Sequence, residues 1–154
     1  MKNQKQEIDI KNTKSLNIGC SDITRWLPHT EGLDIIDHGQ KWVCSVFDFK
    51  PPYLYDAVFL HHVYEHFDDP VALIDKISEF MKPGAILDIR VPTFPHPQVF
   101  LDPTHKTFPV CPETFLYYTK NSPSGHRYSK REFEIINSER DRFEWEWHGT
   151  LRLL

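Results

Sequence analysis

Cysteine is scarce in this chain of 154 residues, which has only three. Cys20, Cys44 and Cys111 lie far apart in the sequence and form no CxxC pair. An odd number of widely spaced cysteines is not the pattern of a disulfide framework or of a cysteine zinc site. We therefore expect reduced thiols, as in a cytoplasmic protein.

Long apolar runs and a surplus of basic charge are also missing. No run approaches the roughly 20 apolar residues of a membrane span, and residues 1–14 are polar, without the apolar core of a signal peptide. The 18 basic and 22 acidic residues give a net charge of −4, whereas a general nucleic-acid binder usually carries a basic surplus. The sequence thus predicts a soluble, cytoplasmic protein without a membrane span or general nucleic-acid binding.

The chain does have the composition of a globular domain. Hydrophobic residues make up 40% and charged residues 26% of it, close to ordinary usage. The length suits one domain of about 100–150 residues. We predict a flexible tail over residues 1–14 and a single domain over residues 15–154. Nothing in the sequence indicates the oligomeric state.

Five short apolar runs predict strands: SLNIGC, EGLDIID, WVCSVFDF, YDAVFL and AILDIRVP. The runs are continuous rather than alternating, which is typical of parallel strands covered on both faces. Between the last two, the 3–4 spacing of apolar residues predicts a helix over residues 69–81. Asp69 and Pro70 suit its first turn, and Lys82-Pro83-Gly84 is a stop signal. The order strand, helix, strand predicts a right-handed βαβ unit.

The second half of the chain has a different pattern. Residues 92–112 contain six of the twelve prolines, which predicts a long, stiffened loop, and residues 113–120 resemble a short helix. Residues 132–136 and 142–148 alternate polar and apolar side chains, which predicts an antiparallel hairpin joined by residues 137–141. The aromatic side of this hairpin consists of Phe143, Trp145 and Trp147. It is predicted to pack in the core, with a sugar-stacking platform as the alternative.

Open α/β sheets bind ligands beyond the carboxyl ends of their strands, where the strand order reverses. Gly19 allows close backbone approach there. A carboxylate that ends the second strand, Asp34 or Asp37, suits ribose hydroxyls because it accepts hydrogen bonds from both. Asp48, which has aromatic neighbours, suits the amino group of an adenine ring.

These motifs together resemble those of the class I S-adenosylmethionine-dependent methyltransferases, in particular a small, methyltransferase type 11-like group. The likeness covers residues 15–120. LNIGCS is similar to the family's Gly-rich first motif, GLDII to its acidic second motif and SVFDF to its third. The most specific stretch runs from YDAVFLHHVYEH through the Asp-Pro helix to AILDIRVP. DPTHKTFPVCPETF resembles a loop of related methyltransferases, some linked to glycan genes.

The resemblance implies an α/β fold with a Rossmann-like, mostly parallel seven-stranded sheet and a C-terminal antiparallel hairpin. Helices on both faces and shortened N-terminal helices are expected. It also implies S-adenosylmethionine as cofactor, S-adenosylhomocysteine as product, and a small-molecule or glycan-like acceptor. The implied cofactor-binding residues are Gly19, Cys20, Ser21, Asp34, Asp37, Asp48, Phe49 and His61.

A base is required only for an acceptor that must lose a proton, and histidine suits that task near neutral pH. The candidates, which spacing does not rank, are His62, His96, His105 and Asp102. His105 beside Asp102 is either an oriented base or part of a hydrogen bond that fixes the loop.

Two other functions remain open. Ser21 stands where the family usually has a second glycine, which favours a non-catalytic methyltransferase-fold subunit. The segment from His62 to His66 also matches HxxEH, in which two histidines on one helix face bind zinc and the glutamate, here Glu65, is the base. That motif needs a third ligand on another helix, and here it follows a buried strand. A zinc hydrolase is therefore the weaker alternative, and we predict no metal ligands.

Overall fold

The computed structural model describes residues 13–21, 27–106, 109–141 and 145–154. Its strands are, in chain order, β1 (Ser15–Ile18), β2 (Glu31–Asp34), β3 (Trp42–Val43), β4 (Tyr55–His61), β5 (Met81–Pro92), β6 (Phe133–Arg140) and β7 (Glu146–Leu153). Its helices are α1 (Pro70–Glu79), α2 (Gln98–Leu101) and two 3-10 helices, Tyr64–His66 and Pro112–Tyr118. No helix in these ranges is long and apolar enough to cross a membrane.

The strands form one sheet in the order β3-β2-β1-β4-β5-β7-β6. The first five are mutually parallel, and β7 runs antiparallel to both β5 and β6. The predicted Rossmann-like sheet with its terminal antiparallel hairpin is confirmed. The chain steps outwards from β1 to β3 and then returns to β4 on the other side of β1. The switch point therefore lies between the carboxyl ends of β1 and β4.

The predicted helix over residues 69–81 is found as α1, two residues shorter at its C-terminal end than expected. The side chain of Asp69 caps it by accepting from the backbone amide of Ala72 at 2.9 Å. Met81 was predicted to be helical but pairs with Tyr55 as the first residue of β5. The amide of Tyr55 donates a hydrogen bond to the carbonyl of Phe80 at 2.8 Å. The chain therefore enters the sheet before the expected helix stop at Lys82-Pro83-Gly84.

Several other predicted boundaries move. The third strand has only two residues, since residues 46–48 form a turn in which the amide of Asp48 donates to the carbonyl of Ser45 at 3.1 Å. The short helix after the proline-rich loop is 3-10, and α2 interrupts that loop. Residues 137–140, expected to connect the hairpin, belong to β6, because they pair with β7 beyond a bulge after Ile135.

The aromatic side of the hairpin divides between core and surface. Trp147 is fully buried and stacks on Phe115 with ring centroids 4.1 Å apart, as expected for a core residue. Gly149 makes room for it, because a Cβ there would overlap the Trp147 ring. Trp145 is instead 53% exposed and packs against His96. Phe143 lies outside the described residues.

One face of the sheet carries the main hydrophobic core. Val58, Leu60, Leu87 and Ile89 cluster there with buried residues of α1 and of both 3-10 helices, while α2 lies in the loop after β5. By strand alternation the opposite face carries Asn17, Phe59, His61, Asp88, His148 and Thr150. Among the described helices, α1 and both 3-10 helices thus pack on the apolar face. Residues 1–12 and 22–26, on either side of β1, lie outside the description, and with them most of the predicted tail over residues 1–14 and most of the segment between β1 and β2 where a shortened helix was expected.

Candidate functional site

The turn after β1 requires glycine at its first position. Gly19 has φ +63°, and a Cβ there would overlap the side chain of Val63, which follows β4. The amide of Gly19 donates to the carbonyl of Leu33 at 2.8 Å. Ser21 also has a left-handed backbone, with φ +53°. The ends of β1 and β4 therefore meet closely at the switch point, with the turn fixed to β2.

Asp34 links this turn to the end of β2. Its Oδ2 accepts from the amide of Ser21 at 2.8 Å, and its Oδ1 accepts from the amide of Ile36 at 3.1 Å. The structure thus brings together three residues that the sequence predicted separately, Gly19, Ser21 and Asp34. The carboxylate is half-buried, and each of its oxygens has a second lone pair for a ligand.

Two further predicted residues of this region have structural roles. The Cys20 thiol is buried, and its pKa is raised, first by burial and then by Asp34, so only the backbone of Cys20 is available to a ligand. Asp37 is exposed, and its Oδ1 accepts from the amide of Gly39 at 2.9 Å in its own turn. The buried Gln40 fixes that turn by donating to the carbonyl of Ile36 at 2.7 Å.

The two aromatic neighbours of Asp48, in the turn after β3, lie in different environments. Phe49 is 3% exposed and packs edge-on against Trp42 and Phe80 in the core. Phe47 is 44% exposed and lies edge-on to Phe67, with ring centroids 5.9 Å apart. Asp48 is exposed beside it. The exposed pair at this strand end is therefore Phe47 and Asp48.

His61 belongs to a buried polar network that the sequence analysis missed. Its Nε2 lies 2.7 Å from Oδ1 of Asp88, and Oδ2 of Asp88 is 2.8 Å from Nε2 of His148 and 3.3 Å from the Thr150 hydroxyl. Burial alone would raise the pKa of Asp88, but the hydrogen bonds from His148 and His61 outweigh it and lower that pKa. The one available signal was an aspartate inside an apolar strand.

The HxxEH segment does not form one helix. His62 has φ +55°, and only residues 64–66 are helical. Nε2 of His62 lies 2.7 Å from Oε2 of Glu146, while its Nδ1 is 3.7 Å from Oε1 of Glu65. His66 instead contacts the proline-rich loop through Thr104. The two histidines therefore do not present a shared helix face to a zinc ion.

The other predicted catalytic candidates lie on the proline-rich loop. Nε2 of His105 is 3.6 Å from Oδ2 of Asp102, an ion-pair distance and not a hydrogen bond. The Oδ1 of Asp102 accepts from the amide and the hydroxyl of Thr104, at 2.9 and 2.6 Å, so Asp102 helps to fix the loop. His96 packs against Trp145 with ring centroids 4.6 Å apart.

A cavity of about 520 Å³ lies elsewhere in the described part of the chain, between the Pro112–Tyr118 helix and β6. Its lining includes Glu113 and Glu132 but none of the predicted cofactor-binding or catalytic residues. It is therefore separate from the strand-end site.

Comparison with known proteins shows the fold. No family model and no curated protein matches the chain. Among solved structures, the N-methyltransferase NodS from Bradyrhizobium japonicum, in complex with S-adenosyl-L-homocysteine, matches with a TM-score of 0.62 at 13% identity, over 92% of this chain and 78% of that one. An S-adenosylmethionine-dependent methyltransferase from Clostridium acetobutylicum gives 0.63 at 9% identity, over 91% and 83%. One from Archaeoglobus fulgidus gives 0.61 at 17% identity, over 93% and 87%.

Proposed function

We propose that this chain is an S-adenosylmethionine-dependent methyltransferase that acts on a small-molecule or glycan-like acceptor. The observation that carries the proposal is the joining of the Gly19 turn to Asp34 at the switch point between β1 and β4, through the Ser21 amide. Solved structures with this fold include methyltransferases, one of them holding S-adenosylhomocysteine. The strand-end residues fit such a ligand.

The proposed cofactor site uses a subset of the predicted residues. The turn at Gly19 and Ser21 presents its backbone to the cofactor, while the side chain of Val63 occupies the space that a Cβ at position 19 would need. Asp34 accepts from the ribose hydroxyls with its remaining lone pairs. Asp48 accepts from the adenine amino group, and Phe47 replaces Phe49 as the ring that packs on adenine.

At the edge of this proposed cofactor site, Cys20 contributes only its backbone. His61 borders the site and is hydrogen-bonded to Asp88. Asp37 serves its own turn and has no part in the proposal.

The cofactor supplies a methyl group activated by a positively charged sulfur, and the protein aligns the acceptor with it. Among the candidate bases we favour His62, which follows β4 at the switch point and has a 45% exposed side chain. Nε2 of His62 lies 2.7 Å from Glu146, so Nδ1 would take the proton of the acceptor, and Glu146 would stabilise the imidazolium that forms. His105, by contrast, has a side chain only 8% exposed.

Substitution of the proposed base separates catalysis from cofactor binding. We expect His62→Gln to lower kcat by roughly 10²–10⁴-fold for a hydroxyl acceptor with unchanged affinity for S-adenosylhomocysteine. Labelled methyl transfer to a panel of small-molecule and glycan acceptors measures the rate, with His126→Gln as the matched control. Equal rates for the two variants would exclude His62 as the base.

A non-catalytic subunit with this fold is the second candidate. It is favoured by Ser21, which holds a left-handed backbone where the family usually has glycine, and whose amide is already bonded to Asp34. In that case the turn fixes β1 to β2 and binds no adenosyl ligand. A side chain such as Trp26 would then plug the turn; Trp26 lies outside the described residues.

Calorimetric titration with S-adenosylhomocysteine distinguishes the two candidates. A methyltransferase should bind it in the micromolar range, near −8 kcal/mol. Asp48→Ala and Phe47→Ala, both at exposed positions, should weaken binding about tenfold or more. Glu79→Gln, on the far end of α1, is the matched control and should bind as the wild type does. Equal affinities for all four proteins would place the ligand elsewhere.

A further inference from the structure

Three side chains that could ligate a metal converge beside the end of β4. Glu65, His66 and His105 each offer one ligand atom, and these atoms lie within 4.8 Å of one another. Glu65 and His66 belong to the 3-10 helix after β4, whereas His105 comes from the proline-rich loop. The group differs from the HxxEH motif, because His62 is not part of it.

The carboxylate of Glu65 is deeply buried, and one of its oxygens is unsatisfied within the described part of the chain. Glu65 is 3% exposed, and among the described residues its Oε2 has no hydrogen-bond partner. Its Oε1 lies 3.7 Å from Nδ1 of His62, an ion-pair distance beyond hydrogen-bond range. Leaving the second oxygen of a buried carboxylate without a partner is costly, and a cation bound at Oε2 would offset that cost.

The two histidines are held in orientations that suit metal ligands. Nδ1 of His66 lies 3.2 Å from the carbonyl of Thr104, so when it donates to that carbonyl its Nε2 carries a free lone pair. His105 lies edge-on to His66 with ring centroids 4.9 Å apart, and its Nε2 faces Asp102. Metal-ligating histidines usually have a carbonyl or carboxylate at their second nitrogen in this way.

The backbone fixes the distance between the two segments that contribute these ligands. The amide of Lys106 donates to the carbonyl of Glu65 at 2.8 Å, and its Nζ pairs with Asp68 at 2.9 Å. The residue before Lys106 is His105, so the loop ligand is anchored directly against the helix that supplies the other two. The contacts of Lys106 therefore support the site from the loop and from the helix.

We propose that Glu65, His66 and His105 bind a divalent transition-metal ion, with zinc as the best fit. Two imidazoles and one carboxylate are a ligand set of catalytic zinc sites, which keep a fourth position open for water or substrate. Mg²⁺ and Ca²⁺ prefer oxygen ligands alone. The proposal departs from the sequence-based expectation of no metal ligands. It depends only on these three residues and is independent of the methyltransferase assignment.

Metal binding by the tag-free full-length chain tests the proposal. After treatment with EDTA and dialysis, titration with ZnCl₂ should show one tight site per chain and a rise in Tm. Co²⁺ should fill the same site and give the intense visible absorption of a four-coordinate complex. Failure to bind Zn²⁺ or Co²⁺ at one ion per chain, or binding of Mg²⁺ in their place, would overturn the proposal.

Variants locate the ion. Loss of outer partners alone typically costs 10–100-fold in metal affinity, so His66→Ala and His105→Ala should each weaken zinc binding by at least about tenfold. Glu65→Gln should do the same, and the two histidine variants keep the test decisive if that buried substitution prevents folding. His126→Ala is the matched control. Wild-type affinity in both histidine variants would show that the ion binds elsewhere.

Discussion

Single residues at the switch point adopt backbone conformations that most side chains avoid. Gly19, Ser21 and His62 all have φ between +53° and +63°. For a residue other than glycine, this conformation costs roughly 1–2 kcal/mol. Ser21 and His62 follow β1 and β4, the two strands that flank the proposed ligand site. Backbone strain often concentrates at functional sites, which agrees with the proposed location.

Replacement of Gly19 tests this packing. We expect Gly19→Ala to lower the free energy of unfolding by about 2 kcal/mol or more, because the new Cβ has the unfavourable φ and also overlaps Val63. Gly125→Ala is the matched control, since Gly125 has φ +78° with no atom near its Cβ position. Urea unfolding gives both values. If Gly19→Ala is no more destabilising than Gly125→Ala, the close approach of β1 and Val63 is wrong.

The sequence predicted some site residues better than others for local reasons. Gly19 and Asp34 end strong apolar runs, so their positions follow from strand ends alone. Phe47 and Phe49 differ by two residues, and which of them is exposed depends on the turn over residues 46–48. That turn replaces a predicted strand. No periodicity in the sequence indicates where the two-residue β3 stops.

At the scale of secondary structure elements, hydrogen bonds to Glu31 connect β2 to β3 and to the start of β4. Its carboxylate accepts from four side chains, Lys41, Trp42, Tyr53 and Tyr55. Burial alone would raise the pKa of Glu31, but these hydrogen bonds lower it from 4.5 to about 2. A lowered pKa means that the ionised carboxylate stabilises the folded state at pH values above about 4.5. That contribution is lost as the pH falls from there towards 2.

Glu31→Gln should remove this pH dependence. At pH 7 we expect the free energy of unfolding to fall by roughly 1–2 kcal/mol, a value discounted because the side chain is partly exposed. Between pH 5 and pH 2 the variant should lose less stability than the wild type. Glu134→Gln, which removes a surface ion pair with Arg152, is the matched control and should change stability by less than about 1 kcal/mol. Parallel pH profiles for wild type and Glu31→Gln would contradict this account.

Contacts between elements that lie far apart in the sequence could not be predicted from it. Asp88 meets His61 and His148 across 27 and 60 residues, and that network follows only from the register of β5 with β4 and β7. His66 meets the proline-rich loop across 38 residues. Each segment was identified in the sequence, but spacing alone does not show which loop residue faces which strand end.

At the scale of the whole molecule, the strand order determines where the proposed ligand site lies. Apolar runs, one well-capped helix and the alternating tail were enough to predict the sheet, because parallel buried strands and an antiparallel hairpin have different patterns. Strand order itself was implied only by the resemblance. The two faces of the sheet differ: α1 and both 3-10 helices pack on the apolar face, and the opposite face carries the Asp88 network.

The most direct test of the central claim is calorimetric titration of the metal-free chain with S-adenosylhomocysteine. The account predicts one binding site per chain with micromolar affinity, weakened by Asp48→Ala and unchanged by Glu79→Gln. No heat and no thermal shift at millimolar ligand would contradict the methyltransferase proposal and favour the non-catalytic subunit. The proposed zinc site is tested separately, by the titration with ZnCl₂.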